Sequence, residues 1–208
     1  MMTSAARATR AVRARESRPL RRGTRVPPLS SADVNPLTPG SAHSDPSTVA
    51  RLLDANRAYV EEGFEGFLPL RPARQMAIVA CMDSRMPLFG ILGLKPGEAH
   101  ILRNAGGVVT DDVIRSLVLS QRFMGTKEIV LVHHTDCGLM RVSEDQMRTE
   151  IEREIGVRPS FSFESFQDPY ANVRQSIRRL ELSPYLPHRD RISGFVYEVE
   201  TGELHEVR

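Results

Sequence analysis

Only two cysteines occur in this chain, and each lies among side chains able to bind a metal or hold charge. The first opens Cys81-Met82-Asp83-Ser84-Arg85, and the second closes His134-Thr135-Asp136-Cys137. Two thiolates and one imidazole are the donors of a zinc site with three protein ligands and a fourth position left for water. Water on zinc is a nucleophile near neutral pH. The expected metal ligands are therefore Cys81, His134 and Cys137, with Zn2+ as the cofactor. His133 competes with His134, but it faces the opposite side of the same strand. The three-residue spacing from His134 to Cys137, within a turn, suits one ion.

Charge sets the expected chemistry. Two thiolates cancel the charge of a divalent ion, which leaves it a weaker Lewis acid than one held by three histidines. Asp83 has two roles open to it: an alternate fourth ligand that shuts the site, or an acceptor that orients the attacking water. Arg85 decides between them, because a guanidinium fork holding the carboxylate leaves the metal open. The pattern predicts a site closed at lower pH and open at higher pH. Asp136, between two ligands, is expected either to be solvated or to support them from outside rather than to bind.

The elements that must position these clusters can be read around them. Met76–Cys81 is a short apolar run suited to a strand buried on both faces, His100–Arg103 reads as a second strand, and Glu128–His133 reads as a third, buried one. Cys81 ends the first strand and His134 follows the third. In an open parallel sheet ligands gather at the carboxyl ends of the strands, so both clusters fall on one edge. Helices are expected at 46–62 after an Asp45 cap, at 87–92, from Thr110 to Met124, from a Ser143/Gln146 capping box to Ile155, and from Asp168-Pro169 to Leu182. Residues 156–167 read as loop, and Ile192–Glu198 with the Thr201-Gly202 turn reads as a terminal hairpin. Strands alternating with helices imply parallel pairing through right-handed crossovers. The expected fold is α/β: a mainly parallel central sheet flanked by helices, with a C-terminal antiparallel hairpin and an N-terminal helical arm. That arm places Val49, Leu52, Leu53, Asn56 and Val60 near one face and need not pack on its own sheet.

The rest of the chain bounds the function. Eight arginines against Glu16 within residues 1–25 more than account for the formal net charge of +2, so the remainder is mildly acidic. A nucleic-acid-binding surface there has no support, and no apolar run is long enough to span a membrane. Residues 1–45 read as a disordered extension, Arg-rich and then rich in Pro and Ser, leaving 46–208 as the zinc domain. The extension lacks the apolar core of a secretory signal; its Arg-rich, acid-poor composition also fits a transit peptide or a start codon placed too far upstream. Two cysteines without such a signal fit a reducing, cytoplasmic setting. Gly106-Gly107 lacks the pattern of a dinucleotide loop and reads as a tight turn near the metal, with backbone amides available to a bound anion. Arg103 is expected to hold a carboxylate or backbone near the edge, with anion binding as the alternative role. His43, His188 and His205 are expected at the surface.

These residues resemble the β-class carbonic anhydrases. That family carries Cys-x-Asp-x-Arg after its first strand and His-x-x-Cys after the third, matched here by Cys81, Asp83, Arg85, His134 and Cys137. Pro96-Gly97-Glu98-Ala99 and Arg103-Asn104-Ala105-Gly106 follow in the family's order, and His133-His134-Thr135-Asp136-Cys137-Gly138 is similar to its actinobacterial branch. The resemblance covers about residues 46–208. It implies reversible hydration of carbon dioxide to bicarbonate and a proton by zinc-bound hydroxide, with Asp83 and Arg85 as the catalytic pair; the anion that the Gly106 and Gly107 amides could bind would then be bicarbonate. It also implies a homodimer, or a dimer of dimers, with the first helix lying across the partner. Two positions depart from family patterns. Pro72 stands where plant-like members place a substrate-contacting glutamine. Ile78 stands where members with an inhibitory bicarbonate pocket place a tryptophan. Related enzymes of this fold hydrolyse carbonyl sulfide or carbon disulfide, and zinc ligands alone do not separate them. A catalytically silent zinc-binding interaction protein and a dithiol redox protein are the remaining rivals.

Overall fold

The computed structural model describes residues 46–64 and 66–208. The expected disordered extension, the Asp45 cap and His43 lie outside the described residues. The apolar runs form β1 (Met76–Cys81), β2 (Ala99–Asn104), β3 (Glu128–His134), β4 (Ile192–Tyr197) and β5 (Leu204–Val207). They make a single sheet in the order β2-β1-β3-β4-β5. β1 pairs parallel with β2 and β3, β3 pairs parallel with β4, and β5 closes the edge antiparallel to β4. The helices are α1 (Pro46–Glu62), α2 (Leu88–Leu92), α3 (Asp111–Arg122), α4 (Glu144–Ile155) and α5 (Pro169–Glu181). No helix among the described residues is long and apolar enough to cross a membrane.

Strand alternation divides the core into two layers. Ala77, Val79, Ile129 and Leu131 pack with Val113 and Leu117 of α3 and Leu180 of α5. Ile78, Ala80 and Val132 pack on the other side with Met86, Leu88, Leu94, Val108 and Phe166. Leu117, Leu131 and Leu180 are completely buried, each contributing about 1.5–3 kcal/mol by removal from water. Ile78 is equally buried, so that position serves the core. α5 approaches β4 closely because Gly194 has no side chain: a Cβ there would lie 2.3 Å from Val173 Cγ1.

The chain runs from β1 to β2 on one side, then returns to place β3 on the other. The order therefore reverses at β1, which opens a crevice at the carboxyl ends. Ala80 is in register with Val132, so β1 and β3 finish side by side.

Two expectations need correction. Ser143 makes no side-chain bond at the start of α4, and Gln146 instead donates to Glu150 one turn on, so the capping box does not form. The start of α4 is tied down by Glu144, whose carboxylate accepts from the Phe163 amide across the loop. α3 ends at Arg122, one turn's fraction before Met124, with Phe123 as its cap; its Thr110 cap forms as expected, accepting from the Val113 amide at 3.3 Å. α1 stands apart from the sheet: every described residue from Thr48 to Phe64 is exposed.

Candidate metal centre

The crevice at the ends of β1 and β3 gathers the two clusters. Cys81, the last residue of β1, His134, the last of β3, and Cys137 are all buried. One ligand atom from each lies within 4.8 Å of the others, the only such group among the described residues. His133 is buried on the opposite side of β3. It bonds Asn172 of α5 through Nε2 at 2.8 Å and packs against Phe166, so it takes no part in the cluster.

The state of His134 follows from its neighbours. Its Nδ1 lies 2.8 Å from the Thr135 carbonyl, which can only accept, so Nδ1 carries the proton. Nε2 therefore presents a lone pair. It is buried and has no hydrogen-bond partner among the described residues. A buried unpartnered nitrogen beside two buried sulfurs fits a thiophilic divalent ion. The sulfurs are electronically prepared as well. The adjoining Cys137 thiol pulls the Cys81 pKa well below the ordinary thiol range, so Cys81 is the thiolate of the pair. Contact with Cys81, together with burial, pushes Cys137 upward, so it holds the proton that a metal must displace.

Asp83 and Arg85 stand at the mouth of the cluster. Arg85 donates from Nε to Asp83 Oδ1 at 3.0 Å and from Nη2 to Asp83 Oδ2 at 2.8 Å, a bidentate fork. The Arg85 amide adds a third bond to Oδ1 at 2.9 Å. These hydrogen bonds from Arg85 hold the Asp83 carboxyl far below the usual carboxylate range. Both its oxygens are thus engaged by Arg85, and Oδ2 rests 3.7 Å from His134 Nε2.

The turn carrying these residues is held by β2. Arg103 donates to three backbone carbonyls: Cys81 at 2.8 Å, Met86 at 3.2 Å and Asp83 at 2.6 Å. It grips backbone and meets no carboxylate. Gly106 and Gly107 form a buried 3-10 turn beside β1 with φ of 78° and 69°. A Cβ on Gly107 would lie 2.8 Å from the Cys81 nitrogen, so glycine is needed for the approach as well as for the backbone angle. His188 is part-buried and His205 pairs with Glu203 at 3.7 Å; neither joins the cluster.

Asp136 does not reach into the cluster but accepts from Arg85 and from Arg141. Arg141 was not singled out in the sequence. Its only signal there is a basic residue four positions beyond Cys137, which carries meaning once the Gly138–Arg141 turn is seen.

Comparison with known proteins bears on the whole of this arrangement. The carbonic anhydrase family model matches residues 76–204, which include every residue placed at the centre. Beta-carbonic anhydrase 1 of Mycobacterium tuberculosis is 51% identical over 153 residues, spanning 74% of this chain and 94% of the relative. A carbon disulfide hydrolase of Saccharolobus solfataricus is 38% identical over 155 residues, spanning 63% of this chain and 76% of that protein. Among solved structures, the carbonic anhydrase of Streptococcus mutans superposes with a TM-score of 0.73 at 45% identity, covering 77% of this chain and 97% of that one. Sheet order, the Cys-His-Cys cluster with its Asp-Arg pair, and identity over nearly the full length of a relative converge: the chain belongs to the β-class carbonic anhydrases.

Proposed function

We propose that the chain catalyses the reversible hydration of carbon dioxide to bicarbonate and a proton, a lyase reaction, with zinc as the resident metal. The observation that carries this reading is the buried trio of Cys81, His134 and Cys137 with Asp83 drawn aside by Arg85 rather than included as a fourth donor. Zinc supplies Lewis acidity, the means of making water nucleophilic near neutral pH. The protein's residues do the remainder. Cys81 and Cys137 neutralise a divalent charge, and the Thr135 carbonyl fixes the His134 tautomer. Asp83, ionised by its contact with Arg85, accepts a hydrogen bond from the attacking water and aims its lone pair. The amides of Gly106 and Gly107, beside Cys81, are the proposed contacts for a carbonate oxygen.

The greater likeness to a carbonic anhydrase than to the carbon disulfide hydrolases supports carbon dioxide as substrate. Two free cysteines in a metal-binding arrangement support a reducing, cytoplasmic setting. The partner we propose is a second copy of this chain, because α1 exposes Leu52, Leu53 and Val60 and the following Phe67 is 94% exposed. The substrate assignment is tested by stopped-flow carbon dioxide hydration run beside sulfide release from carbon disulfide and carbonyl sulfide. Fast hydration without sulfide release is expected; rapid sulfide release with negligible hydration would reverse the assignment.

A further inference from the structure

Arg85 is held from two sides. One edge of its guanidinium forks onto Asp83, as described. From the other, Nη1 donates to Asp136 Oδ2 at 2.9 Å and Nη2 donates to the Asp136 carbonyl at 3.0 Å. Four donor contacts from three nitrogens fix the plane of the group, although its side chain is 46% exposed. Asp136 is itself braced, since Arg141 Nη2 donates to its second carboxylate oxygen at 2.5 Å. Asp136 also has a φ of 53°, in the left-handed region. Single residues other than glycine enter that region at a cost, and Asp and Asn do so more readily than most. The turn thus holds a disfavoured angle, and in it both the carbonyl and the carboxylate of Asp136 meet Arg85.

We propose that Asp136, backed by Arg141, is a positioning residue that locks Arg85 onto Asp83 and so keeps the Asp83 carboxylate from becoming a fourth metal ligand. The proposal rests on the carbonic anhydrase reading for its consequence in turnover, but not for its consequence in metal binding. Without the Asp136 carboxylate, Arg85 Nη1 loses its partner, and beyond Asp83 only the backbone carbonyl of residue 136 still holds this half-exposed side chain. Asp83, whose Oδ2 is already 3.7 Å from His134 Nε2, is then able to turn inward. A fourth protein ligand would close the position that water needs and add a bond that must break before the metal leaves.

The test uses full-length, zinc-loaded protein carrying Asp136→Asn or Asp136→Gly, both of which suit a left-handed backbone, and Arg141→Ala as a milder third variant. Two quantities are read: stopped-flow hydration, separated into kcat and KM, and the rate of zinc transfer to a chromogenic chelator. The expectation for the Asp136 variants is a kcat lower by roughly tenfold, the worth of one charge-assisted hydrogen bond, with KM little changed and zinc transfer slower than wild type. General damage to the turn would move the second reading the other way, because a loosened site releases metal faster. Transfer at or above the wild-type rate in both Asp136 variants would overturn the proposal. Wild-type protein with no hydration activity would overturn the functional reading, while the transfer rates would still decide the role of Asp136.

Discussion

Gly107 shows how tightly the metal centre is specified at the level of single residues. Its φ of 69° disfavours any side chain, and an added Cβ would meet the Cys81 nitrogen at 2.8 Å and the Ala80 carbonyl carbon at 2.9 Å. Backbone atoms cannot rotate aside as a side-chain end can, so Gly107→Ala must displace the end of β1. The expected outcome is a loss of at least about 2 kcal/mol in urea unfolding, from the left-handed angle and overpacking together, with reduced zinc content in the purified protein. An unchanged unfolding midpoint with full zinc would show that the turn has slack the geometry denies. At this scale the residues of the cluster were legible in the sequence, and Arg103, Asp136 and the Gly106-Gly107 turn were expected beside it, but their bonding partners were not. His134 was separable from His133 because alternation along a strand is a fixed geometric rule, and the structure puts His133 on Asn172. The grip of Arg103 on three carbonyls depends on the register of β2 against β1, and the Asp136 bridge depends on a left-handed angle and a 3-10 turn. Neither leaves a mark in residue spacing. The failed capping box makes the same point from the other direction, since Gln146 donates to Glu150 and the Ser143 side chain makes no cap bond.

Among the elements, the buried strands were readable because uninterrupted apolar runs between glycines and helix caps have few other uses. Their parallel pairing followed from the intervening helices, and the placement of Cys81 and His134 on one edge followed from the pairing. α1 is different: its apolar positions were visible, but what they cover was not. Among the described residues they cover nothing, with Leu52 at 66% and Leu53 at 55% exposure. A helix with such a stripe is stabilised mainly by packing that face against something. If a second copy supplies the surface, Leu52→Glu with Leu53→Glu converts the wild-type assembly to monomer in analytical ultracentrifugation. Wild-type protein that sediments as a monomer, or a double variant that sediments unchanged, would count against α1 as the contact.

For the whole molecule, two apolar layers hold a parallel sheet, the sheet's reversal at β1 makes a crevice, and the crevice brings together donors that lie far apart in the chain. On the proposed reading, catalysis depends on a metal site that the fold assembles rather than on a local motif. Titrating metal-free protein with zinc while following carbon dioxide hydration by stopped flow tests this most directly. The account predicts a rate that starts near the uncatalysed value, rises in proportion to bound zinc and levels off at one ion per chain, with Cys137→Ser failing to follow. Full hydration activity in protein shown by elemental analysis to carry no metal would contradict it.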